Sequence, residues 1–351
     1  MNRRSAATIA VLCLLIGLLA AAVLVPVPYV TESPGPTVNV LGHASGKPII
    51  AVTGHQTYPT KGDLRLTTVS VTNPTHRIGL GEALAAWFDG ARAIYPRDVI
   101  YPPDQSAQDV QTQSAVEMVS SQDTAVAAAL QELGYKLPLR VEVVSVTKGS
   151  PAEGKLRVHD RIVSVGGTKI TDVRQVAPAV QKSGIGNPLR FVVRRAGRDV
   201  PVTVTPKASP DDPEKAAVGI QIQPGYDFPF DVSVRLGENI GGPSAGLIFS
   251  LGVYDTLTPG SLTGGTDVAG TGTISGSGRV GPIGGIQQKI VAAADAGAKI
   301  FLVPPANCAD ALHADVKKDE IRLVKAPTMH SAVASLKAYA KDPSAPLPSC
   351  S

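Results

Sequence analysis

Two glycine-framed motifs constrain this chain more than anything else in it. In the first, Gly241-Gly242-Pro243-Ser244-Ala245-Gly246, a serine stands among small residues where an apolar run begins. Pro243 suits a first helical position, where its missing N–H has no intrahelical partner to lose. Leu247, Ile248, Leu251, Val253 and Tyr254 follow at mixed helical spacing, so a helix is expected to start here. Ser244 then lies in its first turn, among free backbone N–H groups and at the positive end of the helix dipole. An oxyanion formed on an attacked carbonyl meets donors there. The flanking glycines let a substrate backbone come close.

A serine hydroxyl is a poor nucleophile until a base takes its proton. No histidine stands in a recognisable partner motif; the candidate is Lys289, at the end of Gly284-Gly285-Ile286-Gln287-Gln288-Lys289. A helix beginning near Gly285 puts Gly285, Ile286, Ala292 and Ala293 on the lysine's face, with Ala296 a turn further on, and aims Gln287 away. A lysine on so apolar a face is desolvated, which disfavours the ammonium. Its pKa then moves from about 10.4 toward the roughly 7–8 that a general base requires. Taken singly, Ser244 reads as a helix cap and Lys289 as a surface lysine. Together, each in its own glycine frame, they point to nucleophilic catalysis.

The run Gly242-Pro243-Ser244-Ala245-Gly246, then Thr271-Gly272-Thr273-Ile274, then Arg279-Val280-Gly281-Pro282-Ile283-Gly284-Gly285-Ile286 ending in Lys289, resembles the proteolytic domain of Lon proteases. The resemblance spans roughly residues 216–339, and the Ser-to-Lys step, 289 − 244 = 45, is close to that family's. It implies a Ser-Lys dyad, with Ser244 as nucleophile, Lys289 as general base and then acid, and Thr271 as a hydroxyl supporting the lysine. It also implies a hexameric ring. Lon enzymes commonly carry an acidic residue just before the Gly-Pro-Ser; a glycine stands there in this chain.

At 351 residues there is room for two or three domains. A net charge of +4 with no long Lys/Arg run gives no sign of nucleic-acid binding. Arg3 and Arg4 precede an apolar run from Ala6 to Val25, 25 − 6 + 1 = 20 residues, a length that spans a bilayer as one helix. The arginines place its start in the cytoplasm and the rest outside. A cleaved signal peptide is the competing reading, but Val25-Pro26-Val27-Pro28 has no small-x-small site.

Residues 30–137 read as a membrane-proximal mixed α/β region. Ser33-Pro34-Gly35-Pro36 forms a turn or connector, strands cover 49–52 and 63–71, and helices cover Leu80 to Trp87 and Glu117 to Leu133. Trp87, the only tryptophan, reads as packing, and no chemistry is evident in this region. Residues 138–207 carry Gly149-Ser150-Pro151-Ala152 and Asp160-Arg161-Ile162-Val163-Ser164-Val165-Gly166-Gly167. In order and motif they are similar to a bacterial PDZ domain, which implies binding of an extended peptide on a sheet edge. Lys136-Leu137-Pro138-Leu139 stands where a glycine-framed carboxylate loop is usual. Asp172 caps a helix to Lys182 that Pro178 is expected to kink. The linker Ala208–Pro213 leads to a third, α/β domain at 216–341, and a Pro/Ser-rich tail follows at 342–351.

The expected architecture is therefore α+β and multidomain: a transmembrane anchor at 1–29, the membrane-proximal region, a PDZ-like β domain and a Lon-type α/β domain. The order of anchor, PDZ and Lon-like domain resembles bacterial cell-surface PDZ-containing Lon-like proteases. The expected protein is a serine endopeptidase held in the cell membrane by one helix, with its catalytic domain outside, taking unfolded proteins or peptides. No G-x-x-x-x-G-K-[ST] occurs, so no ATPase module is legible, and no cofactor or metal is called for. Gly276-Ser277-Gly278-Arg279-Val280-Gly281 matches a dinucleotide fingerprint only formally, because Pro282 and two more glycines precede the helix. Two alternatives stay open: an inactive scaffold that binds extended peptides, and an enzyme whose main substrate is its own chain. Cys308 and Cys350 can pair, but connectivity is not readable from sequence.

Overall fold

The computed structural model describes residues 3–102, 107–210, 212–236, 240–317 and 319–350, without the side chains of residues 3–8, 10, 19, 107–109 and 112. The Arg3 and Arg4 side chains and Asp211 of the linker thus lie outside the described residues. Along the chain run helix α1 (Arg3–Leu24), strands β1 (Tyr29–Asn39) and β2 (Asp63–Val71), helix α2 (Leu80–Phe88), strand β3 (Ala93–Pro96) and helix α3 (Ala107–Glu132). Next come β4 (Leu139–Val146), β5 (Arg161–Val165), α4 (Val176–Ser183), β6 (Leu189–Arg195), β7 (Arg198–Val204) and β8 (Ile220–Tyr226). The last stretch holds α5 (Gly246–Leu257), β9 (Asp267–Gly270), α6 (Ile286–Asp295), β10 (Ile300–Val303), β11 (Arg322–Lys325) and α7 (Met329–Lys341).

Contacts divide the chain into two compact units, 1–132 with 232–351, and 133–231. The second is an insertion in the sequence of the first. One sheet, in the order β11-β10-β9-β2-β1-β3, joins strands from both ends of the chain. β9 pairs in parallel with β2, Gly270 opposite Leu66, and the Thr67 hydroxyl donates to the Gly270 carbonyl at 3.3 Å. The segment expected to be a separate membrane-proximal region is thereby part of the sheet that carries the serine and lysine motifs. Strand alternation says that a segment lies in a sheet, but not which sheet. The same ambiguity applies to Val218–Ile222, which leads into β8 beside β4 in the inserted unit.

Among the described residues no helix is long and apolar enough to cross a membrane. A crossing requires about 20 consecutive apolar residues for a hydrocarbon core about 30 Å thick. This corrects the expected transmembrane anchor. It also corrects the cell-membrane location with a cytoplasmic N-terminus and an external catalytic domain. The end of α1 is instead stitched to the α2 region. Leu80 N–H donates to the Val25 carbonyl at 2.9 Å and Val27 N–H to that of Ile78 at 3.0 Å. A Cβ at Gly81 would collide with the Val23 side chain. In α2 the buried face is Ala83 and Ala86, which leaves Trp87 72 % exposed and outside the core.

Two local expectations also changed. Ser33-Pro34-Gly35-Pro36 is not a separate turn but the middle of β1, where the pairing with β2 slips between Pro34 and Thr37. Proline is tolerated at such a bulge because the ladder there needs no N–H. Pro178 does not break α4, because it occupies the first turn, where the N–H has no intrahelical partner. Asp172 caps the short turn Val173–Gln175 just before, accepting from Arg174 N–H at 2.8 Å.

The core of the first unit explains its helices. α5 is apolar on nearly every side, and Leu247, Ile248, Phe249, Leu251 and Val253 have no exposed surface. A helix of that kind belongs in an interior, between layers. Ile286, Ile290 and Ala293 of α6 pack with Phe301, Val303, Cys308 and Ile321. Cys350 joins this cluster and is bonded to Cys308, so the end of the tail is held down. The inserted unit is a separate antiparallel sheet in the order β7-β6-β5-β4-β8, covered by α4 around Phe191, Val193, Ile162 and Val143.

Candidate active site

Ser244 lies in a short 3₁₀ turn, Pro243–Ala245, that opens directly into α5. Gly242 enters that turn at φ +84°, a left-handed conformation that a side chain rarely adopts. Four hydrogen bonds fix the turn. Gly272 N–H donates to the Ser244 carbonyl at 2.8 Å, and Leu247 N–H to the Gly272 carbonyl at 3.0 Å. From α3, the Ser121 hydroxyl donates to the Pro243 carbonyl at 3.0 Å, and the Ser114 carbonyl accepts from Gly242 N–H at 3.0 Å. Nothing in the sequence of α3 marked it as a support for this serine. The contact spans more than a hundred residues and leaves no local pattern.

Lys289 sits in the first turns of α6 and is only 3 % exposed. Its Nζ donates to Thr271 Oγ1 at 3.4 Å, and that hydroxyl donates to the Ser244 carbonyl at 3.1 Å. Thr271 is 1 % exposed and follows β9, so the sheet carries the residue that links the two motifs. Burial depresses the Lys289 amine from 10.5 to about 8, and the charge of Glu32 opposes that fall. The expected apolar face is present: Ile286, Ala292 and Ala293 are buried. Gln287 turns away and donates to the Asp310 carbonyl at 3.3 Å.

Two residues here escaped the sequence reading. Glu32, in the middle of β1 between Val71 of β2 and Ala93 of β3, is half-buried. Burial raises its carboxyl above the usual range, and Lys289 works against that rise. Gly285, the N-cap of α6, explains how the two elements come so close. It has φ +66°, and a Cβ there would stand 2.5 Å from Val69 Cγ1 and 3.4 Å from Glu32 Oε2. Asn307 is the other. Its Oδ1 accepts from Ile283 N–H at 3.0 Å and its Nδ2 donates to the Ile283 carbonyl at 2.9 Å. It holds the loop before the lysine helix as a paired strand would. Among the described residues no group of three or more His, Cys, Asp or Glu side chains is gathered for a metal.

The inserted unit has a groove of about 700 Å³ between α4 and the start of β8. Val176, Ala177 and Val180 line one side, and Val218, Gly219, Ile220 and Ile222 the other. β8 pairs with β4 and ends the sheet order, so its other side is an edge. Gly219, in the groove lining, has φ +74°.

Comparison with known proteins agrees with this division. Residues 238–335 match the family model for the Lon protease (S16) C-terminal proteolytic domain, and residues 112–205 match a PDZ domain. This chain carries a serine-type peptidase domain. The PDZ match begins inside α3, whereas the compact unit begins at Leu133. Lon protease of Phenylobacterium zucineum (strain HLK1) is 45 % identical over 69 residues, 20 % of this chain and 8 % of that one. Lon protease 1 of Myxococcus xanthus is 38 % identical over 99 residues, 27 % of this chain and 12 % of that one. Serine protease HTRA1 of Xenopus tropicalis is 39 % identical over 66 residues, 18 % and 14 % of the two chains. The chain thus spans only a small part of the length of these relatives.

Proposed function

We propose that this protein is an endopeptidase that cleaves unfolded protein segments or peptides through Ser244 and Lys289. The observation that carries the reading is a buried lysine with an amine depressed to about 8, linked through Thr271 to the backbone of Ser244. An amine in that range has a free lone pair in a useful fraction of molecules near neutral pH. Lys289 Nζ takes the Ser244 proton as Oγ attacks the scissile carbonyl, and an acyl-enzyme follows. The ammonium returns its proton to the leaving amine. A water, deprotonated in turn by Lys289, then releases the acid product. Thr271 holds both partners of the pair, since one hydroxyl accepts from the lysine and donates to the serine's carbonyl.

This sequence contains no P-loop, so the reading takes segments that are already unfolded. The groove beside β8 supports capture of an extended peptide as an added strand, with Val176, Val180 and Ile222 receiving apolar side chains. The test is hydrolysis of labelled casein by the purified chain and by Ser244→Ala. Loss of cleavage in the variant is expected; cleavage at the parent rate would remove the serine mechanism. A scaffold that binds peptide without cutting it has the same groove in its favour. It would be identified by peptide binding with no acylation of Ser244 at any pH from mildly acidic to alkaline.

A further inference from the structure

We propose that Glu32 is a positioning residue for the Ser244–Lys289 pair, a carboxylate set under the start of the lysine helix to stabilise the ammonium formed when Lys289 takes the serine proton. The proposal rests on the dyad reading above and extends it to a residue 289 − 32 = 257 positions away.

The geometry begins with β1. Paired on both sides, by β2 and β3, it holds the backbone of Glu32 in a fixed register opposite Val71 and Ala93. The bulge between Pro34 and Thr37 follows directly. α6 begins over this part of the sheet, and Gly285 supplies the clearance. With no Cβ, the helix start approaches Val69 and the Glu32 carboxylate, and at φ +66° other residues are strained as well. Lys289 lies one turn further along the same helix face as Gly285, and its N–H donates to the Gly285 carbonyl at 3.0 Å. A carboxylate at the N-terminal end of a helix is also where the backbone dipole favours negative charge.

Few other charges bear on the pair. Lys289 donates to Thr271 and feels the charge of Glu32. Burial raises the hydroxyls of Tyr95 in β3 and Tyr101; the charge of Glu32 adds to both, Asp310 also raises Tyr95, and Arg97 opposes the rise at Tyr101. Arg97 lies 5.5 Å from the Tyr101 ring centre and donates to the carbonyls of Pro74 and His76. Among these groups, Glu32 is the acid that acts on Lys289.

The proton accounting is simple. As the Ser244 O–H bond breaks, its proton forms a bond to Nζ and the oxygen bonds to the scissile carbon. No proton passes to Glu32, whose negative charge offsets the positive charge created beside it. When the ammonium gives its proton to the leaving amine, the offset ends. Without the carboxylate, burial alone acts on the lysine. Its amine then titrates at lower pH and is a weaker base.

The test uses the full chain with labelled casein, following kcat/KM from pH 5.5 to 10 in the parent, Glu32→Gln and Glu32→Asp. The midpoint of the rising limb is expected to fall by about one pH unit or more in Glu32→Gln, the range of a nearby opposite charge, and by less in Glu32→Asp. An acid with a merely structural role would lower the rate at all pH values alike, and an unmoved midpoint overturns the proposal. Should Glu32→Gln cleave too slowly, the same midpoint is read from acetylation of Lys289 by acetic anhydride, followed by peptide mass spectrometry. Should Glu32→Gln fail to fold, the Glu32→Asp midpoint decides. Ser244→Ala run in parallel separates the two levels. Full activity there sinks the dyad reading itself, whereas an inactive Ser244→Ala with an unmoved Glu32 midpoint sinks only this extension.

Discussion

Removing the charge of Lys289 should stabilise the fold while abolishing activity. The amine is held at about 8, against 10.5 for a free lysine, because α6 buries it. A fall of about 2.5 units corresponds to roughly 3.4 kcal/mol, at 1.36 kcal/mol per unit. The sign follows from proton uptake. Between pH 8 and 10.5 the unfolded lysine binds more protons than the folded one, so stability rises with pH across that window. Below pH 8 both states are protonated, and the folded state carries the full cost of a desolvated ammonium. Lys289→Met keeps the apolar stem and removes that cost. Urea unfolding should show the variant more stable than the parent by about 2–3 kcal/mol at pH 7, less whatever Glu32 loses with its cation. The gap should close by pH 10.5. Activity against casein should be absent in the variant, and in the parent it should rise through a midpoint near 8. A variant less stable than the parent at pH 7, or a gap independent of pH, would refute the argument that burial sets this lysine's basicity.

Three further outcomes follow from single contacts. Thr271→Val removes the hydroxyl between Lys289 Nζ and the Ser244 carbonyl and should lower kcat/KM by about tenfold or more, with Thr271→Ser restoring most of it. Cys350→Ser opens a loop of 42 residues and should cost about 4 kcal/mol by the chain-entropy relation, seen as a lower urea midpoint that reductant reproduces in the parent. Asp255 has no exposed surface and its carboxyl is raised to about 6, chiefly by burial, with one oxygen held by Leu262 N–H and the other unpaired. Its folded form binds more protons between pH 4 and 6, so this residue should make stability fall as pH rises through that window, by up to about 3 kcal/mol. Asp255→Asn should flatten that part of the curve.

Several elements were legible because their causes are local. Pro243 and the small residues around Ser244 announce a helix start, and α5 begins two residues after the serine. The spacing of Ile286, Ala292 and Ala293 about Lys289 foretold a buried amine, and the amine is buried. Thr271 entered through resemblance and stands between the two motifs. The 20-residue apolar run was read as a membrane crossing from its length, and the structure offers no such helix among its described residues. Trp87 was read as packing rather than binding, yet the buried stripe of α2 passes through the alanines beside it.

By itself the sequence determined local conformation: where helices begin, which face of each is apolar, and which glycines must turn the backbone. It also settled which two side chains were worth watching, because their surroundings lie within a few residues of them. Only the tertiary structure decided that β1 and β2 complete the sheet of β9, that α3 braces the serine turn, and that the Glu32 carboxylate comes up against Gly285 at the start of α6. These depend on parallel pairing and close packing between segments more than a hundred residues apart, interrupted by a whole inserted unit. Hydrophobic periodicity records that a face will be buried and is silent about its partner.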